Sequence, residues 1–186
     1  MTEEQAKRSI EKGRLQLSGS PRFQHFSAVW VFAFFTSLLL LPGLYDTFVG
    51  GLFKATQPPV GVFFLIAAAG PGLVTLLLFL LQRRRLTLIR IDTSLLSGQI
   101  HDLATKIAQS NTWELAEDAP AFMVMRTFSY RYSASGGEQV TVLLDTGKVW
   151  INSICDPQRY HPSLVSFGRN KANIRILTCG LSGDGL

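Results

Sequence analysis

The sequence is poor in the residues that staple or metallate small domains. Two cysteines (Cys155 and Cys179) and three histidines (His25, His101 and His161) occur in 186 residues. The cysteine spacing is no metal signature. On the reducing side of a membrane the two are expected as free thiols, so neither a disulfide framework nor a metal site is expected. Charge is missing as well, but locally. Phe26–Leu44 and Pro59–Leu81 contain no Asp, Glu, Lys, Arg or His. That argues against a proton path or a carrier of charged substrates. No phosphate-binding glycine loop and no known nucleic-acid module is present, so no cofactor and no nucleic-acid partner is expected.

What is present is apolar and concentrated. The chain is 47% hydrophobic, and the excess falls in those two uncharged stretches. Each is about as long as the roughly 20 residues a spanning helix needs, and neither has a polar face. The expectation is a transmembrane hairpin over residues 26–82. A cleaved signal peptide is not expected, because a long segment precedes the first stretch and no Ala-x-Ala site follows it.

The net charge of +5 points to orientation. Lys7, Arg8, Lys12, Arg14 and Arg22 precede the first stretch, against three glutamates, and Arg83, Arg84 and Arg85 follow the second. The intervening segment, Asp46 to Pro58, carries one Asp and one Lys. The positive-inside bias then places both termini in the cytoplasm of a bacterium, with the hairpin in its inner membrane. Gly70-Pro71-Gly72 lies in the second stretch. Proline removes a backbone donor, so a kink or local break is expected there. The neighbouring small residues allow close helix approach, either within the hairpin or to another membrane subunit.

After the hairpin, Leu86–Asp92 reads as a short strand or as a continuation of the second span. Asp92, Thr93 and Ser94 are helix-start candidates. Leu96, Ile100, Leu103 and Ile107 then recur at helical steps. Trp113–Leu115, Ala121–Tyr132, Gln139–Leu144 and Lys148–Ile154 alternate as strands, separated by turn residues at Glu117–Pro120, Ser133–Gly137 and Asp145–Gly147. Residues 167–179 read as a helix capped by Ser166 and ended by Gly180, or as a strand from Asn173 to Cys179; the helix is preferred for its spacing. The expected domain is therefore a two-layer α+β fold over residues 86–180: a helix, an antiparallel meander of about four strands, and a helix. Residues 1–25 are expected as a cytoplasmic tail and residues 181–186 as a disordered one. The isolated domain is expected to fold without its anchor.

Trp113-x-Leu115, Phe128-Ser129, Gly137-Glu138-x-Val140-Thr141, Ile151–Cys155 and Phe167-Gly-Arg-Asn-Lys-x-Asn-Ile174 resemble a small uncharacterised domain of Bacteroidetes-type bacteria, typically attached to membrane segments. The resemblance covers about Leu96 to Leu177. It implies an adaptor or accessory role and supplies no catalytic residue.

Three constellations bear on chemistry. Asp145-Thr146-Gly147 matches the aspartic-protease triplet, but Lys148 follows it and too little chain remains for a protease subunit. A hairpin turn is the expected role. Cys155 and Asp156 with His161 form a conceivable thiol and base, with burial at a strand end as the plainer reading. Asn152 and Ser153 interrupt an apolar strand and must be hydrogen-bonded or exposed. They are expected to hold the Ser166–Asn170 backbone or to line a ligand pocket. Arg169, Asn170, Lys171, Asn173 and Arg175 form a polar, basic cluster, suited to a solvated face or to anionic lipid headgroups. Together with Gly70, Pro71 and Gly72 these are the candidate interaction residues. The expected function is a non-catalytic accessory or structural subunit of a membrane protein complex. The alternative is a membrane-tethered sensor or effector that binds a small anionic ligand.

Overall fold

The computed structural model describes residues 1–49, 60–128, 136–158, 166 and 168–181. The chain divides into two compact units, Phe26–Arg83 and the combination of Met1–His25 with Arg84–Leu186.

Ahead of the hairpin the chain forms α1 (Glu3–Lys12) and α2 (Gly19–His25). Two long helices, α3 (Ser27–Phe48) and α4 (Val60–Arg85), make up the first unit. Both are long and apolar enough to cross a membrane, and their outward faces carry exposed Phe34, Phe35, Leu41, Phe63, Ile66 and Leu73. Phe26 and Phe79 pack with ring centroids 5.8 Å apart. The Thr36 and Thr75 hydroxyls lie 3.3 Å apart. Each also donates back to its own helix, Thr36 to the Phe32 carbonyl and Thr75 to the Pro71 carbonyl, which leaves no hydroxyl proton unspent. Asp46 sits in the last turn of α3 and accepts the Gly61 N–H at 2.6 Å. It thereby caps one of the orphan donors in the first turn of α4.

Where these helices approach most closely, the residues are not those the sequence suggests. A Cβ on Gly61 would lie 2.7 Å from the Gly43 carbonyl oxygen and 2.9 Å from the Thr47 nitrogen. A Cβ on Gly43 would meet Gly61, Phe64 and Leu65 within about 3.1 Å. A Cβ on Gly72 would make only an ordinary contact to Thr36 at 3.6 Å, and one on Gly70 would meet nothing within 4 Å beyond its own helix. Of the kink or local break expected at Pro71, a break does not occur, since α4 runs as one helix through it. Removing a single N–H costs one i to i−4 bond, and the turns on either side hold the helix together.

The second unit is built on an antiparallel five-stranded sheet: β1 (Ile89–Asp92), β2 (Glu114–Ala119), β3 (Phe122–Arg126), β4 (Glu138–Asp145) and β5 (Lys148–Cys155), in the order β1-β5-β4-β3-β2. The expected meander of about four strands gains β1 at its edge, beside β5. Pro120 and Ala121 turn β2 into β3, and a bulge at Ala116 separates the pairs at Leu115 and Glu117. Thr146 and Gly147 turn β4 into β5, with Gly147 at φ 68°, where a side chain is disfavoured.

Alternation splits the sheet into two faces. One carries Ile91, Met123, Met125, Val140, Val142, Val149 and Ile151. These form the core with α5 (Ser97–Ser110) and α6 (Arg169–Leu181). On α5 the inward residues are Ile100, Ala104 and Ala108, flanked by Leu103 and Ile107. Leu96, expected on this stripe, precedes the helix and is 73% exposed. The Gln99 side chain accepts the Leu96 N–H there, so the start lies beyond Asp92–Ser94. Residues 169–181 are helical, the preferred of the two readings. Gly180 lies inside α6 instead of past its end. A Cβ there would approach Ile107 Cδ1 to 2.5 Å, so this glycine lets α6 settle on α5.

The opposite face carries Phe122, Val124, Thr141, Leu143, Asn152 and Ile154, all buried. A two-layer domain would leave this face wet. Here the N-terminal segment belongs to the same unit, with Ala6, Ser9 and Leu15 buried. The Met1 ammonium pairs with Glu117, whose register partner Val124 lies on this face. Residues 1–25 are therefore a structural part of the domain, not a tail. The Thr2 hydroxyl caps α1 and Gln5 reciprocates, and Gly13 closes the helix in a left-handed conformation. The tail expected after Gly180 lies, apart from Leu181, outside the described residues.

Candidate functional site

Residues leaving α4 are gripped from both edges. Leu15 donates its N–H to the Leu86 carbonyl at 2.8 Å, and Leu88 donates to the Gly13 carbonyl at 3.0 Å. Arg14 and Thr87 face each other as an isolated antiparallel bridge. In such a strand, successive carbonyls point to opposite edges, so those of Arg85 and Thr87 turn away from the N-terminal segment. The Asn152 side-chain amide meets both, at 2.9 and 2.8 Å. Each of its two protons takes one carbonyl, and the amide substitutes for a missing neighbouring strand. Because both partners are acceptors, they fix which side-chain atom is the nitrogen.

This clasp yields a sharp expectation. Asn152→Ala removes two donors from part-buried carbonyls, each worth roughly 1–3 kcal/mol when left unmade. The substitution should lower the stability of the full chain by about 2–5 kcal/mol in denaturant titration. A change within about 0.5 kcal/mol would show that solvent replaces the amide.

Ser153, the next residue, projects to the other face. Its hydroxyl donates to Asn170 Oδ1 at 3.2 Å and accepts from Asn173 Nδ2 at 3.3 Å. At the same end, the Thr127 hydroxyl donates to Glu138 Oε2 at 2.5 Å and accepts the Glu138 N–H at 2.9 Å. Glu138 stands opposite Cys155 in the β4–β5 register. Ser153 thus ties the first turns of α6 to the sheet, and Thr127 and Glu138 form a separate buried pair. Hydrogen bonds of this kind rigidify an interface and fix the rotation of the helix above it.

The sequence candidates are accordingly separated. Asn152 serves the exit of α4. Ser153, Asn170 and Asn173 join α6 to the sheet through side chains, in place of the backbone contact expected at Ser166–Asn170. Lys171 and Arg175, four residues apart, are exposed, and Arg169 is half-buried. Gly70, Pro71 and Gly72 belong to the helical pair. His161, weighed as a base for Cys155, lies outside the described residues. Asp156 is instead buried with Arg126 Nε 3.5 Å from its carboxylate, while the Arg126 guanidinium also donates to Gln158. That pairing joins residues 30 apart, and no local signal marks it. The Leu15 contact has a weak signal, the short Leu15-Gln16-Leu17 alternation after a basic segment.

Asp145 is exposed at the end of β4. Its carboxylate accepts the Thr146 N–H at 2.8 Å, the local bond that favours Asp in turns. Asp145→Asn preserves that acceptor and should shift stability by no more than about 0.5 kcal/mol. A larger loss would assign the carboxylate another role. Among the described residues, no group of three or more His, Cys, Asp or Glu is placed to hold a metal.

Comparison of the chain with protein-family models, with curated proteins and with solved structures gives no match. The resemblance over Leu96–Leu177 therefore brings no activity with it.

Proposed function

We propose that this chain is a membrane-anchored accessory or structural subunit of a membrane protein complex, without catalysis of its own, seated in a bacterial inner membrane with both termini in the cytoplasm. One observation carries the reading: two apolar helices of 22 and 26 residues are flanked on both sides by chain that folds into a single unit. A hairpin that crosses a bilayer twice returns its flanks to one side, and a domain woven from both flanks requires that return. Lys and Arg crowd both flanks, which orients that side to the cytoplasm.

The outward faces of the two helices are apolar along their length, and the open notch at Gly70 offers small residues for close approach by another helix. The Asn152 amide nitrogen, Ser153, Asn173 and Thr127 meet structural partners, which supports a scaffolding role for them. The test has two arms. A reporter active only outside the cytoplasm, fused after Leu186, should remain inactive, and the chain should resist alkaline extraction from membranes. Gentle solubilisation should then recover it with stoichiometric membrane partners. An active reporter, or a chain recovered alone and fully functional, would overturn the reading.

A further inference from the structure

The clasp also gathers charge. At its one bridge, Arg14 stands opposite Thr87. Leu15, Leu86 and Leu88 are buried, while the bridge sets Arg14 beside Thr87, two residues past Arg85. Arg84 precedes them and is exposed. Elsewhere in this unit Arg8, Arg90 and Arg126 are matched by Glu4, Asp92 and Asp156, while Arg22, Arg169 and Arg175 take no ion pair among the described residues but stand apart from the end of α4 in sequence. Among the described residues, no ion pair takes Arg14, Arg84 or Arg85. Arg85 is the last residue of α4, so an α4 that spans a bilayer delivers all three guanidinium groups at headgroup depth.

We infer that Arg14, Arg84 and Arg85 form a grip for the phosphate of an anionic phospholipid. This inference rests on the membrane reading above. Guanidinium groups bind phosphate oxygens through paired N–H donors, which a lysine ammonium does not reproduce. Orientation alone needs only positive charge. The grip further requires Arg14, which is brought to the site by the clasp from across the hairpin in sequence. The basic cluster of α6, the sequence-level candidate for headgroups, is divided between inward asparagines and outward Lys171 and Arg175.

The full chain in uncharged detergent micelles provides the test. Phosphatidylglycerol should raise its unfolding temperature and remain bound in native mass spectrometry, while phosphatidylcholine does neither. With each arginine near an anionic surface worth about 1 kcal/mol, Arg14→Gln, Arg84→Gln and Arg85→Gln combined should weaken phosphatidylglycerol binding roughly a hundredfold. Replacing the same three with lysine keeps the charge that insertion needs and should still weaken binding several-fold. Equal responses to both lipids, or undiminished binding in the lysine variant, would overturn the grip. So would stabilisation by inorganic phosphate matching that of the lipid, which would make the ligand a free anion. Failure of the membrane reading is separately visible as release of the wild-type chain from membranes by alkali.

Discussion

A fragment running from Leu86 to Gly180 should fail to unfold cooperatively, although its helices and strands carry the pattern of a complete small domain. It lacks the segment that belongs with the second face of the sheet. Phe122, Val124, Leu143, Ile154, Leu86 and Leu88 are buried in the intact unit, and burying a side chain of this size contributes roughly 1.5–3 kcal/mol. Exposing even half of that set matches the roughly 5–15 kcal/mol by which a domain is stable. Joining residues 1–25 to residue 84 through a flexible linker should restore a single transition in urea. Within the full chain, Leu15→Ala should cost about 2–5 kcal/mol, since Leu15 is 1% exposed. Cooperative unfolding of the short fragment with native-like stability would show that the N-terminal segment is dispensable.

Gly61→Leu should split the helical pair, while Gly70→Leu should leave it intact. At Gly61 the first added carbon already collides with the Gly43 carbonyl and the Thr47 backbone. Backbone atoms cannot rotate aside, so α3 and α4 must separate or shift. Overpacking of this kind typically costs 1–3 kcal/mol, and backbone obstruction places it at the upper end. Separation would also strain the bond from Gly61 to Asp46. Cysteines introduced at positions 36 and 75, where the two hydroxyls are 3.3 Å apart, should crosslink readily in the parent chain and in Gly70→Leu, and poorly in Gly61→Leu. Equal crosslinking in all three would show that the glycine approach does not hold the pair together.

How much of this was legible differs by element. The two apolar helices, the hairpin turn at Asp145 and the helix at residues 169–181 follow from composition and period, which are local properties. The alternation at Ala121–Leu144 revealed both sheet faces but not that both are covered. The N-terminal segment joins this unit through a hydrogen bond between residues 15 and 86, and the short Leu15-Gln16-Leu17 alternation gives almost no sign of so distant a partner. Gly43 and Gly61 were overlooked for a related reason. Each looks unremarkable alone, and only the pairing of the helices makes them a site, whereas Gly70-Pro71-Gly72 draws notice through proline while making no close approach at its glycines. Asn152 and Ser153 stand out in the sequence as polar residues in an apolar strand. That their partners lie on opposite faces follows from strand geometry once the strand is accepted.

The interleaving of the N-terminal segment with residues 84–88 has a consequence for how the chain matures on the ribosome. Helix α1 is synthesised first, yet its partner strands emerge only after the whole hairpin has been made. Domains generally fold as units while synthesis proceeds, and this one must wait for a late segment to reach an early one. On the membrane reading, a nascent chain that inserts one helix and leaves the other behind strands these two segments on opposite sides of the bilayer. Such a chain has no route to its sheet cover, remains unfolded, and is exposed to proteolysis. Completion of the domain thereby acts as a proofreading step on insertion, and molecules that reach the folded state are those whose hairpin returned to the side where it began.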